Sequence, residues 1–295
     1  MKGVQGNVSD EETIREVQRV ELEMLKAVAA LCDAHGIRYS LYCGTLLGAI
    51  RHGGFIPWDD DVDLMMPLPD YRRFLKVAKC LPDKYELRSS ENDMHAIVPW
   101  AKVYANGTTV LPVFAASIDT HWGAYLDIYP MIGAAKTDFG RKAQTKMIEL
   151  ARRLRAAEFY RCQNAVGHSG SGWKKLAKKI IVRLPFGLLA WLSNLLIGAS
   201  VRNPEHAERI GTIDAVEFAG KFDGRDWDEL VHVPFEDCEL AAPKNYDKLL
   251  SIMYGDYMTP PPEWARTPHY EAEGPVIRDM QRDFREYRSE ILRRG

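Results

Sequence analysis

The chain has 295 residues, 46% of them hydrophobic, which is enough to bury a proper core. Its 39 basic and 41 acidic residues give a formal net charge of −2, which excludes the strongly basic proteins whose main partner is nucleic acid. Five single cysteines lack the spacing of a zinc site or a disulfide framework, and the polar N-terminus lacks a secretory pattern, so we expect a cytoplasmic protein.

The first elements of the chain are a helix and a short strand. Apolar residues at helical spacing between positions 14 and 31 predict the helix, which a capping box at Ser9 begins and a glycine ends. Residues 39–42 predict the strand, which leads into a turn at Gly44 and Thr45. A helical turn, a Gly-Gly break and a proline follow before the next strand.

That next strand starts with four aspartates, Asp59, Asp60, Asp61 and Asp63. Crowded carboxylates beside buried apolar residues repel one another and need a compensating cation. Asp61 and Asp63 share one face of the strand, because side chains alternate, and together they can bind one ion. Oxygen-only ligands predict Mg²⁺ or Mn²⁺. Asp59 and Asp60 precede the strand and are expected to support these ligands.

Another predicted strand, YLDIY, carries Asp127 at its centre. A buried carboxylate needs a partner, so we expect Asp127 to be the third metal ligand and to accept a proton from an attacking hydroxyl. Lys102 lies in a strand predicted near residues 97–104. It points either inward, toward a donor phosphate, or outward to solvent.

Two further pairs of residues are candidates for binding the donor. Arg51 and His52 lie between the turn and the aspartates, where they would neutralise a phosphate or a leaving group, or form an exposed loop without a role. Arg266 and His269 follow a proline-rich, aromatic loop. Such loops usually pack against the core, but this one could also wall a small organic group.

The second half of the chain is mainly helical in pattern. Residues 137–161 predict a long basic helix, and residues 173–201 are unusually apolar, with no charge between Arg183 and Arg202. Proline and glycine interrupt this stretch, so we do not predict a transmembrane helix. A helix lying on an anionic membrane and a buried helical hairpin both remain open. The first is favoured by the cations just upstream, Lys174, Lys175, Lys178 and Lys179.

Three later segments complete the pattern. Asn203 and Pro204 predict the start of a helix, and residues 222–233 predict strands with turns. Residues 246–254 predict a helix that a glycine ends, and the run from Val276 predicts a charged amphipathic helix.

The order of turn, paired acids and third acid is typical of polymerase-like nucleotidyltransferases, in which the acids bind metal and the turn binds phosphate. We therefore predict an α+β fold: a nucleotidyltransferase-like core with a mixed β-sheet flanked by helices, plus a helical insertion. The core comprises residues 1–136 and 202–275. Residues 137–201 form the insertion, facing a membrane or the acceptor, and residues 276–295 form a C-terminal amphipathic helix.

The block GTLLGAIRHGGFIPWDDDVDLMMP resembles the signature of LicD-type proteins, the choline-phosphotransferase family of bacterial surface glycans that includes the fukutin-related enzymes. YLDIYP and YGDYMTPP resemble its later blocks. The resemblance maps the paired metal acids onto Asp61 and Asp63 and the phosphate turn onto Gly44 and Thr45, where Gly or Ser is more usual than Thr. Asp127 is added by its position in YLDIYP.

The resemblance implies a phosphotransferase. It would move a phospho-alcohol such as phosphocholine from a CDP-activated donor to a hydroxyl of a cell-surface glycan or its lipid-linked precursor, and CMP would leave. Such an enzyme would act in the cytoplasm or peripherally on the inner face of the cytoplasmic membrane. Three alternatives stay open: a nucleotide-sugar-dependent glycosyltransferase, a nucleotidyltransferase acting on a small molecule, and an inactive nucleotide-binding scaffold.

Overall fold

The computed structural model of the protein describes residues 11–157, 159, 161, 183–205, 207–213, 221–268 and 274–294. Helices α1 to α7 of this part are Glu11–Ala34, Cys43–His52, Leu68–Val77, Asp138–Arg155, Phe186–Ser200, Tyr246–Tyr254 and Phe284–Arg294. Strands β1 to β11 are Ser40–Leu41, Val62–Pro67, Tyr85–Arg88, Ala101–Ala105, Thr109–Pro112, Tyr125–Gly133, Arg209–Thr212, Phe222–Asp223, Leu230–Phe235, Cys238–Pro243 and Val276–Asp279.

A mixed sheet of seven strands forms the centre of the described part. Its main order is β1-β2-β6-β4-β3, and β7 and β8 continue from the second half of β6. Strands β2 and β6 run parallel, whereas the other neighbours are antiparallel. Strands β9 and β10 pair separately, as do β5 and β11. The predicted mixed sheet flanked by helices is therefore confirmed.

The two faces of the sheet bury different clusters. Val62 and Leu64 of β2 join Leu126 and other residues of β6 in the larger cluster, which α1, α2 and α3 cover. Met65 packs with Tyr129 on the opposite face, together with residues of α4 and α6. Because side chains alternate along a strand, the acids of β2 and β6 share the face of Met65 and Tyr129.

Helix α1 shows how the sequence positions this end of the sheet. Its apolar stripe is buried against the larger cluster, as predicted. Gln18, on the same side, donates hydrogen bonds to the carbonyls of Ile56 and Asp59, at 3.1 and 2.7 Å. The helix ends before Gly36, whose φ of +57° favours glycine. Helix α1 thus supports the loop that carries the aspartates.

Two predicted element boundaries are wrong. Gly44 and Thr45 do not form a separate turn, because they lie in the first turn of α2. No helix begins at Asn203 and Pro204. These two residues have no regular structure, and a turn follows in which the carbonyl of Pro204 accepts the N–H of Ala207. The carbonyl of Arg202 accepts the N–H of Gly133, which ties this segment to the sheet.

The C-terminal helix begins later than predicted. Residues Val276–Asp279 form β11, which pairs with Thr109–Pro112, and α7 starts only at Phe284. Val276 and Ile277 bury their side chains in two different clusters, as adjacent residues of a strand do. The backbone N–H and C=O groups of this segment are therefore available for hydrogen bonds of a β-ladder and not of a helix.

Helices α4 and α5 pack against each other. Gln144 donates to the carbonyls of Gly133 and Ser200, and the Ser193 hydroxyl donates to the carbonyl of Ala151. Helix α5 buries only one side. Of the two alternatives, the buried hairpin therefore does not hold for the outer face of this helix. Within the described residues, none of the helices combines the length and the apolar character needed to cross a bilayer. The lysine run upstream lies outside the described residues.

We expect Gly48→Ala to destabilise the protein by about 1–3 kcal/mol, as overpacking does. A Cβ at Gly48 would lie 2.4 Å from the carbonyl oxygen of Gly54 and 3.2 Å from the nitrogen of Ile56, and both are backbone atoms. Denaturant unfolding measures the change. Gly198→Ala is the matched control: nothing lies within 4 Å of its Cβ position, so a helical alanine there should be neutral or stabilising. Equal stability of Gly48→Ala and wild type would contradict the packing described.

Candidate metal and phosphate site

Three aspartates converge at one end of the sheet. Parallel pairing places Asp63 of β2 directly opposite Asp127 of β6. Asp61 lies just before β2 and is partly exposed, whereas the other two are buried. One carboxylate oxygen from each of the three lies within 4.8 Å of the others. The structure therefore brings together the three residues that the sequence predicts as metal ligands.

This trio fits a small divalent cation. Ligands on opposite sides of a magnesium ion lie about 4 Å apart, since each bond is about 2.0–2.1 Å long. Oxygens within 4.8 Å of one another are therefore somewhat wider apart than the ligands of one such ion, and the carboxylates would have to close around it. Oxygen ligands suit Mg²⁺ and Mn²⁺ alike, so the donor set alone does not choose between them.

Two hydrogen-bond donors in or next to β4 position Asp127. The indole N–H of Trp100 donates to one carboxylate oxygen at 2.7 Å, and the ammonium of Lys102 donates to the other at 2.8 Å. Lys102 is opposite Asp127 in the ladder of β4 and β6, and its ammonium lies 3.6 Å from the ring centre of Tyr125. Lys102 is buried and does not extend to solvent.

Gly44 and Thr45 support the acids from the start of α2. The Thr45 hydroxyl oxygen accepts the backbone N–H of Asp63 at 2.8 Å. A Cβ at Gly44 would lie 2.7 Å from a carboxylate oxygen of Asp59, so glycine permits this close approach. The first-turn N–H groups of a helix lack acceptors within the helix, and they favour an anion at this end.

The other two aspartates differ in their surroundings. Asp60 is fully buried and forms an ion pair with the guanidinium of Arg278, at 2.7 Å. Burial raises the pKa of the Asp59 carboxyl, and repulsion from Asp61 and Asp60 raises it further. Asp60 therefore carries its own cation, whereas Asp59 adds to the negative potential beside Asp61.

Glu21 adds a further carboxyl group behind the aspartates. It is fully buried in α1, and neither of its oxygens has a hydrogen-bond partner. Burial raises the pKa of Glu21 well above its ordinary value of 4.5, and repulsion from the aspartates, led by Asp60 and Asp61, adds to the shift. An unpaired buried carboxyl is costly, so Glu21 lowers the stability of the fold at neutral pH.

The sequence interpretation missed Glu21, Trp100 and Arg278. Glu21 could have been noticed, because it interrupts the apolar stripe of α1. Trp100 also has a signal, since it lies two residues before Lys102 and so shares its side of the chain. Arg278 has none, because only the fold brings β11 to Asp60.

A basic and aromatic patch borders the acids at Trp58, the residue before Asp59. The guanidinium of Arg266 lies over the Trp58 ring, 5.1 Å from its centre, and the ring of His52 meets it edge-on at 6.3 Å. Arg51 donates to the carbonyl of Tyr257 at 2.8 Å. Burial lowers the pKa of Arg51, and the nearby charge of Arg266 lowers it further. Two such guanidinium groups favour binding of an anion.

The remaining predicted residue of this loop, His269, lies outside the described residues. Three aromatic residues of this region, Trp58, Tyr257 and Trp264, do not form an open cage for a quaternary ammonium group. Arg266 already covers Trp58, the Tyr257 hydroxyl donates to Asp247, and the Trp264 side chain is 83% exposed.

Comparison with protein families adds a second line of evidence. Residues 36–147 match the family model described as "LicD/FKTN/FKRP, nucleotidyltransferase domain". The matched segment contains α2 and all three acids of the trio. Over this segment the chain is similar to the LicD family. This confirms the resemblance seen in the sequence.

Two relatives illustrate the range of the LicD family. The "Lipopolysaccharide cholinephosphotransferase LicD" of Haemophilus influenzae is 27% identical over 271 residues, which cover 90% of this chain and 98% of that protein. The human "Ribitol 5-phosphate transferase FKRP" is 52% identical over 48 residues, which cover 16% of this chain and only 10% of that protein. The first likeness extends over nearly the whole chain, and the second is local.

We expect Glu21→Gln to make the metal-free protein more stable at neutral pH, by about 1–3 kcal/mol. The folded protein holds the Glu21 proton above the ordinary pKa of 4.5, whereas the unfolded chain releases it, so wild-type stability falls as the pH rises above that value. Glutamine removes this contribution, and the advantage should therefore shrink toward pH 4.5.

Denaturant unfolding in a chelator, repeated across this pH range, measures the difference. Glu16→Gln is the matched control, because Glu16 is exposed on the same helix. Parallel pH profiles for Glu21→Gln and wild type would contradict the account of a strained carboxyl.

Proposed function

We propose that this chain is a LicD-type, metal-dependent phosphotransferase with a nucleotidyltransferase-like core. It moves a phospho-alcohol group, of the phosphocholine type, from a CDP-activated donor to a hydroxyl of a cell-surface glycan, such as lipopolysaccharide or teichoic acid, or of its lipid-linked precursor. CMP leaves. The observation that carries the proposal is the convergence of Asp61, Asp63 and Asp127, together with the family match around them.

The three aspartates are the proposed holders of the metal. A divalent cation bound there would neutralise the phosphate charge and polarise the phosphorus–oxygen bond. Trp100 and Lys102 would keep Asp127 aligned, since each binds one of its oxygens. Glu21 and Asp59 would favour occupancy by a cation, because a bound cation would relieve the repulsion among carboxyl groups that raises their pKa values.

The donor is proposed to lie between the acids and the basic patch. Gly44 and Thr45 would offer first-turn N–H groups to a phosphate, and Arg51 and Arg266 would bind the CMP side, with His52 beside them. An Arg266 guanidinium already over Trp58 favours a phosphate here and disfavours a quaternary ammonium group. The alcohol of the donor would accordingly lie elsewhere, nearer the acceptor.

The chemical step is a substitution at phosphorus. The acceptor oxygen forms a bond to the phosphorus of the phospho-alcohol, the bond from that phosphorus to the oxygen of CMP breaks, and the hydroxyl proton moves to Asp127. One Asp127 oxygen accepts a hydrogen bond from Trp100 and the other from Lys102, and each has a second lone pair for this proton or for the metal. Positioning and charge neutralisation supply most of the rate, since no covalent intermediate with the protein is required.

Residues 1–136 and 202–275 are the proposed catalytic core, and residues 137–201 are the proposed helical insertion. We place the protein in the cytoplasm, at the inner face of the cytoplasmic membrane, where its donor and a lipid-linked acceptor would meet. This placement is tested by the membrane experiment described below.

A panel of CDP-alcohols tests the reaction directly. CDP-choline, CDP-ethanolamine, CDP-glycerol and CDP-ribitol are incubated with the protein, Mg²⁺ and glycan acceptors, and mass spectrometry detects CMP and the modified glycan. The description of the matched family model favours one second candidate, nucleotidyl transfer to a small molecule, which would release diphosphate from a nucleoside triphosphate. Consumption of a triphosphate or a nucleotide-sugar, with every CDP-alcohol untouched, would overturn the proposal.

We expect Asp61→Ala and Asp63→Ala each to lower turnover by about 10³-fold or more, as loss of a metal ligand or a preorganised charge commonly does. Release of CMP from the preferred donor is the measurement. Asp33→Asn is the control, since Asp33 is an exposed acid of α1. Turnover within about tenfold of wild type in either alanine variant would refute the metal-ligand assignment.

Arg51→Gln and Arg266→Gln should each raise the KM for the donor by about 10- to 100-fold, with a smaller effect on kcat, because each removes a charged hydrogen-bond donor to phosphate. Initial rates at varied donor concentration separate the two constants. Arg72→Gln, at an exposed position of α3, serves as the charge-matched control. If both variants keep the wild-type KM, the patch does not bind the donor.

A further inference from the structure

Helix α5 presents an apolar face to solvent. Leu188, Trp191 and Leu195 are 44%, 60% and 57% exposed, and their spacing places them on one side of the helix. The opposite side, with Leu189 and Ser193, packs against α4. No charged residue interrupts the chain between Arg183 and Arg202. Large exposed apolar side chains grouped in this way mark an interaction surface.

The surface extends to a loop that a buried arginine holds in place. The guanidinium of Arg155, which is fully buried, donates to the carbonyls of Ser90, Met94 and Ala96 and to the side chain of Asn194 on α5. Met94, 63% exposed, lies next to Gly187 at the start of α5. Met94 therefore joins the three residues of α5 in one preformed patch, defined here as Met94, Leu188, Trp191 and Leu195.

Basic residues lie at both ends of α5 and on the helix that packs against it. Helix α4, packed along α5, carries six basic residues against two acidic ones. The side chains of Lys146 and Arg153 on it are 77% and 62% exposed. Arg183 and Arg202 are exposed at the two ends of the uncharged stretch. The part of the chain around α5 thus carries an excess of positive charge, which complements an anionic surface.

We propose that this patch docks on an anionic lipid bilayer, with α5 lying in the membrane interface. Trp and Leu on one face of a helix, with basic residues nearby and no spanning length, are the features of interfacial binding. A stable dimer buries about 800 Å² on each partner, which exceeds what four side chains on one helix and one loop supply. This inference deepens the proposed placement at the membrane by naming the surface that docks, and docking itself does not depend on the donor or on turnover.

The docking face connects to the candidate site through α4. A cavity of about 370 Å³ lies between α4 and residues 97–100, and its lining includes Trp100, Arg152 and Arg153. Trp100 is also the residue that holds Asp127. If the proposed function is correct, docking would bring a lipid-linked acceptor to the side of the sheet that carries the acids.

Co-sedimentation with vesicles tests the docking, using the full chain. Wild type should bind phosphatidylglycerol-containing vesicles, bind pure phosphatidylcholine vesicles much less, and lose binding in high salt. The triple variant Leu188→Gln/Trp191→Gln/Leu195→Gln should bind anionic vesicles at least about tenfold more weakly. Its far-UV circular dichroism and unfolding midpoint should match wild type, because the three residues are exposed.

Leu292→Gln is the matched control, since Leu292 is 51% exposed on α7, and it should bind like wild type. Three results would overturn the proposal: no binding of wild type to anionic vesicles, equal binding to neutral and anionic vesicles, or unchanged binding of the folded triple variant. A concentration-dependent dimer that the triple variant abolishes would assign the patch to a second copy of the chain instead. Vesicle binding is measured without substrate, so failure of the proposed reaction leaves this test intact.

Discussion

The parallel pairing of β2 with β6 is the constraint on which the candidate site depends. It sets Asp63 opposite Asp127, and Asp61 completes the trio from the residue before β2. A shift of the register by one residue would turn one acid toward the larger apolar cluster, where a carboxylate has no partner. Burial of Val62 and Leu64 on that side therefore selects the register that assembles the site.

The acidic groups of the candidate site are compensated unevenly by basic side chains. Among the described residues, Arg278 pairs with Asp60 and Lys102 pairs with Asp127, so these two acids are compensated by the protein. Glu21 and Asp59 have raised pKa values, and both lie near Asp61. The carboxyl groups that repel one another are thus crowded around Asp61, on the partly exposed side where a cation would have access. A cation bound there would relieve this repulsion and stabilise the fold.

The sequence predicts the local parts of this arrangement better than the long-range ones. Alternation in DVDL and YLDIY was enough to predict two strands with acids on one face, and the family signature supported the pairing of those acids. The Asp60 partner could not be predicted, because Arg278 is more than two hundred residues away and only β11 brings it near. The exposure of the outer face of α5 could not be predicted for another reason. An apolar sequence does not show which side of a helix the fold covers.

The ion pair between Asp60 and Arg278 has a consequence for how the protein is made. Arg278 belongs to the last strand, whereas the acids it supports belong to the first quarter of the chain. During synthesis on the ribosome, the early strands can pair long before their cation has been translated, and Asp60 must then stay hydrated or protonated. The ion pair can form only after the C-terminal segment has been translated. A nascent chain that is interrupted before β11 would therefore leave Asp60 without Arg278.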